Sequence, residues 1–124
     1  MKKKEAPINT ILNQYLRESR FYCYYELKKP KGSTFNFKNI EEGQDGGLPA
    51  LEQTGLVWKL SDEDSRTKPC DGMCTPPLPA YLIICFGRTL YCIRYLVIQD
   101  MKKRGIKSIS EKECFNLSDK VIHI

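Results

Sequence analysis

An α+β domain with a mixed β-sheet is the fold class this sequence predicts, on three observations. One helical stripe of apolar residues opens the chain, two long β-favouring runs joined by a glycine turn fill its second half, and a helix-capping signature closes it. At 124 residues the chain reads as a single domain, 1–124, long enough to bury a modest core of its own.

The elements follow in order. From about Glu5 to Ser19, the residues Ile8, Ile11, Leu12, Tyr15 and Leu16 recur at helical spacing, which predicts an N-terminal helix. Pro7 falls in its first turn, where a missing N–H has no partner to lose. From Phe21 to Lys28 the period changes to alternation. Phe21, Cys23, Tyr25 and Leu27 take one face of a strand, and Tyr22, Tyr24, Glu26 and Lys28 take the other. Pro30 and Gly32 end it. Residues 33–49 read as irregular, with a short helix in part of 39–53 loosened by Gly43, Gly46 and Gly47. Leu56 to Leu60 predicts a brief strand, and Ser61 to Pro79 a polar loop. Ala80–Phe86 and Leu90–Ile98 are the strongest strands. Gly87-Arg88-Thr89 joins them into an antiparallel hairpin over about 80–98. Ser110 with Glu113 forms a capping-box pattern for a short C-terminal helix to about Leu117.

The net charge of +5 is unevenly spread: +5 over residues 1–31, −3 over 32–70 and +3 over 71–124. Basic flanks around an acidic middle suit a polyanion partner and a cation pocket, although a solvated surface reaches the same sum. The opening Met1-Lys2-Lys3-Lys4-Glu5 has no apolar run behind it, so no signal peptide is expected. Ala80–Phe86, the longest apolar stretch, is far short of a membrane span, and an intracellular protein with no membrane partner is the expectation. Cys23, Cys85 and Cys92 lie in apolar runs and read as small buried hydrophobes. Cys70 and Cys74 are the one close pair, with no second pair and one His, at position 123, to complete a zinc site; reduced thiols are expected.

Among groups that can carry chemistry, Glu26 and Lys28 leave one strand on the same side, about 7 Å apart. A carboxylate and a cation so placed can hold a divalent ion and steady an attacking water, although the same tripeptide also serves as a plain surface salt bridge. In context, the order of helix, strand with Glu26-Leu27-Lys28, helix and strand resembles the PD-(D/E)xK nuclease superfamily. More narrowly it is similar to small phage and microbial Holliday-junction-resolvase-like proteins. The matching stretches are Glu5-Ala6, Tyr24-Tyr25-Glu26-Leu27-Lys28, Gln44 with Leu48, Lys59-Leu60-Ser61-Asp62, Pro69-Cys70-Asp71-Gly72 and Pro79-Ala80-Tyr81.

That resemblance implies a restriction-endonuclease-like fold and an endonuclease that cuts structured, branched DNA with Mg²⁺ or Mn²⁺ as a homodimer. It implies Glu26 as metal ligand, Lys28 as the group that positions water, Glu5 as a second carboxylate, and Gln44 as support for metal or phosphate. The chain departs from the family in two respects: residues 1–44 contain no Asp, where the family keeps one upstream of its E-x-K strand, and only one strand fits before Pro30, so the family's preceding hairpin is absent. Asp71, flanked by Pro69 and Gly72, is the substitute acid, with Asp62 as second choice; either can instead be an ordinary loop acid.

Lys29, Lys31, Lys102, Lys103 and Arg104 are candidate phosphate contacts, or a solvated basic surface. Tyr22 and Tyr24 can stack on bases or simply pack; Trp58 reads as packing and His123 as inert. Two readings compete with the nuclease: a nuclease-like fold that binds nucleic acid or protein without cutting, and a small accessory or inhibitory protein.

Overall fold

The computed structural model describes the backbone of residues 2–40, 42–59 and 72–124, and side chains within 8–40, 46–57 and 72–124. Its backbone runs α1 (Lys2–Ser19), β1 (Tyr24–Lys28), β2 (Thr34–Asn36), a 3₁₀ turn (Phe37–Asn39), α2 (Glu42–Thr54), β3 (Leu56–Lys59), β4 (Gly72–Thr75), β5 (Ala80–Phe86), β6 (Thr89–Arg94), α3 (Tyr95–Lys103), β7 (Ser108–Ser110), α4 (Glu111–Leu117) and β8 (Lys120–His123). The class is α+β, as the sequence predicts. Among the described residues no helix is long and apolar enough to cross a membrane.

The main sheet has the order β1-β5-β6-β8 and is mixed: β1 pairs parallel to β5, and β5, β6 and β8 are antiparallel. Every residue of β5 is buried, as expected of a strand covered on both faces. One face carries Tyr81, Ile83 and Cys85, with Leu27 from β1, against Ile8, Leu12 and Leu16 of α1. The other carries Leu82, Ile84 and Phe86 under Leu48 of α2, Ile98 and Met101 of α3, and Cys114 of α4. Two ribbons complete the fold, β2 with β7 and β3 with β4.

Local chemistry explains the joints. α1 ends with Phe21 N–H donating to the Leu16 carbonyl at 2.9 Å, a reversal that needs a left-handed residue; Arg20 supplies it at φ 56°. The β5–β6 turn is two residues, Gly87-Arg88, with the glycine at φ +61°, as a tight hairpin of this kind requires. The capping box is present: Ser110 Oγ accepts from Glu113 N–H at 3.3 Å, and Ser110 N–H donates to Glu113 Oε1 at 3.0 Å.

Four expectations are corrected. The second hairpin strand stops at Arg94, and residues 95–103 are helical, because Tyr95, Ile98 and Met101 recur every third residue and bury one face. The first strand forms only from Tyr24, although its faces are as predicted, with Phe21, Cys23, Tyr25 and Leu27 on the α1 side. The predicted loop over 61–79 holds β4 at its centre, and α1 reaches back to Lys2, which puts Pro7 in its second turn.

Cys92 and Cys114 are fully buried, and burial pushes both thiols from an ordinary 9.0 up to about 12. The half-buried Cys23 is raised to about 11. An acid with a raised folded-state pKa is protonated longer in the folded chain than in the unfolded one. Its contribution is therefore intact below pH 9 and is lost as pH climbs from there toward about 12, at roughly 1 kcal/mol per pH unit per thiol. Urea midpoints measured between about pH 8 and pH 10.5 should fall with rising pH, and the slope should be shallower in Cys92→Ala.

Candidate functional site

β1 is an edge strand, and its two faces meet different partners. Leu27 turns toward α1 and is buried. Tyr24, Glu26 and Lys28 turn toward the opposite layer, over which α2 lies. There the neighbouring strand presents only hydrocarbon: Glu26 sits beside Leu82 and Lys28 beside Ile84, both with no exposed surface. Into this apolar face the chain places a carboxylate and an ammonium 3.7 Å apart, with side-chain exposures of 31% and 17%. A part-exposed pair at that distance contributes at most about 1 kcal/mol to a fold, and hydrocarbon can pack in such a place about as well.

The Tyr24 end of the strand is clamped by groups the sequence reading did not single out. The Tyr24 hydroxyl bonds to Thr75 Oγ1 and donates to the Pro76 carbonyl at 2.9 Å. Glu52 of α2 accepts from Ala80 N–H and from the Arg94 guanidinium, both at 2.8 Å on the same Oε1. That bond holds Arg94 above its already high ordinary pKa. Gly55, at φ +76°, lets the exit of α2 press against this junction: a Cβ there would lie 2.2 Å from the Thr75 carbonyl oxygen. Glycine just past a helix end was the one signal available in advance. Tyr24 is thus an anchor for β4 rather than an open stacking face, whereas Tyr22 is 62% exposed.

The other candidates divide by location. Gln44 lies in α2, on the layer that covers Glu26, eight residues and about 12 Å along the helix from Glu52; its side chain lies outside the described residues. Glu5 lies in α1, which packs on the opposite face of the sheet, and its side chain is also outside them. Asp71, Asp62 and Cys70 fall outside the described residues, as does the Trp58 side chain. Among the described residues no three His, Cys, Asp or Glu side chains gather as a metal-binding group. Lys29 alternates away from Lys28, and its charge is felt by Cys85 on the α1 face. Lys31 is exposed just beyond. Lys102 and Lys103 close α3, and Arg104 follows them, paired with Asp100 at 3.0 Å. His123 is exposed at the far edge strand, with Nδ1 3.3 Å from Thr89 Oγ1.

Compared with known proteins, the chain matches no family model, no curated protein and no solved structure.

Proposed function

We propose that this protein is a metal-dependent endonuclease with a restriction-endonuclease-like core of the PD-(D/E)xK type, acting on structured DNA such as a four-way junction. The observation that carries the reading is the Glu26–Lys28 pair, set 3.7 Å apart on the edge of an otherwise apolar sheet face beneath α2. In this reading Glu26 holds Mg²⁺ or Mn²⁺, which keeps several waters of its own, and Lys28 orients the attacking water. Gln44 contributes from α2 to the metal or the scissile phosphate.

Asp71 completes the ligand set. It precedes β4, and Thr75 at the end of β4 is bonded to Tyr24, two residues from Glu26 on the same face. Four residues of extended chain span at most about 14 Å, and Tyr24 to Glu26 is about 7 Å, so the chain length permits Asp71 to come beside Glu26. Glu5 can join only by reaching around the free edge of β1. Symmetric cutting of a junction requires two active sites, so this reading carries a two-fold homodimer with it.

A second reading, binding without cutting, is favoured by the way Glu26 and Lys28 satisfy each other. Incubation of labelled four-way-junction DNA with Mg²⁺ or Mn²⁺, against an EDTA control, separates the two. Nicking that requires the metal supports the nuclease; a retained complex without product in either metal makes the protein a binding module.

A further inference from the structure

We propose that the cleft between the 3₁₀ turn and the end of α3 is a binding site for an unpaired nucleotide of a single-stranded nucleic acid segment. The cleft has a volume of about 490 Å³, within the range of ligand-sized sites (about 300–1,000 Å³). It is lined by the half-buried Ile106 with the small exposed parts of Phe37 and Ile40 (4% and 9%), and by Lys38, Lys102 and Lys107. No carboxylate is among the described residues that line it.

Cations at a helix end have an ordinary explanation, because Lys102 and Lys103 offset the negative end of the α3 dipole. That explanation does not reach Lys38 and Lys107. Both lie off the helix and are exposed, and both face the same cleft. Their backbone is already engaged: Phe37 N–H donates to the Lys107 carbonyl at 2.9 Å, and Lys38 N–H to Asn36 Oδ1 at 3.0 Å. The Gly105 and Ile106 N–H groups are spent on carbonyls of α3. An anion is therefore met by ammonium groups, which read a phosphate as charge, while the apolar lining takes a base. A base bonded to a phosphate is the ligand that uses both surfaces.

The inference deepens the nuclease reading by giving its substrate a second contact, and it fails separately because binding is read without metal. The measurement is fluorescence anisotropy of a labelled oligothymidylate in EDTA, over a salt series. Lys38→Glu/Lys107→Glu should weaken binding about tenfold and flatten the slope of log affinity against log salt by about 1.4, from two lost single-strand contacts. An abasic oligonucleotide of equal length should bind the native protein about five- to tenfold more weakly, as expected when base contact contributes. Arg17→Glu, on α1 across the sheet, should leave the affinity within about twofold. An unchanged affinity in the double variant overturns the site. So does equal binding of the abasic strand or of oligoglutamate, either of which reduces the cleft to an unspecific basic patch.

Discussion

Glu26→Gln should abolish metal-dependent cleavage while leaving the fold intact. The substitution keeps shape and hydrogen-bonding capacity and removes the charge that a divalent ion needs, so the loss falls on metal affinity and rate. A drop of at least about 10²–10³-fold is expected, the range for deleting one preorganised electrostatic contact at a reacting phosphate or carbonyl. Lys28→Met should cost a similar factor, with metal affinity retained, if the ammonium acts on water rather than on the ion as proposed. Neither change should lower stability by more than about 1 kcal/mol. The pair is part-exposed, and its surroundings at Leu82 and Ile84 accept hydrocarbon. Thermal melts and junction-cleavage rates on the same samples give both numbers. Unfolding of either variant, with full activity in the folded fraction, would make the pair structural.

Gly55→Ala carries the largest stability effect. Two penalties coincide there. The backbone is at φ +76°, a region that costs a side chain about 1–2 kcal/mol, and the new Cβ would sit 2.2 Å from the Thr75 oxygen and 3.0 Å from the Pro76 carbonyl carbon. Both opposing atoms are backbone, so relief requires moving the end of β4. A loss of about 2–4 kcal/mol is expected, a fall in melting temperature of roughly 8–16 °C. Activity should fall further than stability, since the displaced junction is the one that bonds Tyr24 and carries the chain on from Asp71. Gly46→Ala is the contrast: it lies inside α2 with open space around it, and should stabilise by about 0.5–1 kcal/mol. Equal melting temperatures for the two variants would contradict the close-approach role of Gly55.

These effects rest on parts of the molecule that were unevenly legible in the sequence. The face of β1 that carries Glu26 and Lys28 was readable because Phe21, Cys23, Tyr25 and Leu27 take every second position, which leaves Tyr22, Tyr24, Glu26 and Lys28 on the other face. The capping box at Ser110 and the Gly87 turn were readable because each is a local bond pattern with a fixed spacing. β2 and β7 were not. Each has three residues with one buried apolar side chain, Phe35 or Ile109, and three residues are too few to display alternation. β8 was missed for the same reason of length. α3 was misread as strand because Tyr95-Leu96-Val97-Ile98 favours β locally; burial of Tyr95, Ile98 and Met101 against the sheet decides for helix. The clamp of Glu52, Arg94, Tyr24 and Thr75 joins residues up to 51 positions apart, and no local pattern announces such a contact.

The central claim is that Glu26 and Asp71 hold one ion together, and Mn²⁺ binding followed by the paramagnetic signal of the free ion tests it most directly. Native protein, Glu26→Gln, Asp71→Asn and the double variant would be titrated at equal concentration. Two ligands of one ion couple strongly. Each single change should therefore remove the same tight site, and the double change should cost little more than either alone. Strictly additive losses, or a site unaffected by Asp71→Asn, would contradict a shared metal and leave Glu26 and Lys28 as an ion pair on the edge of a binding fold.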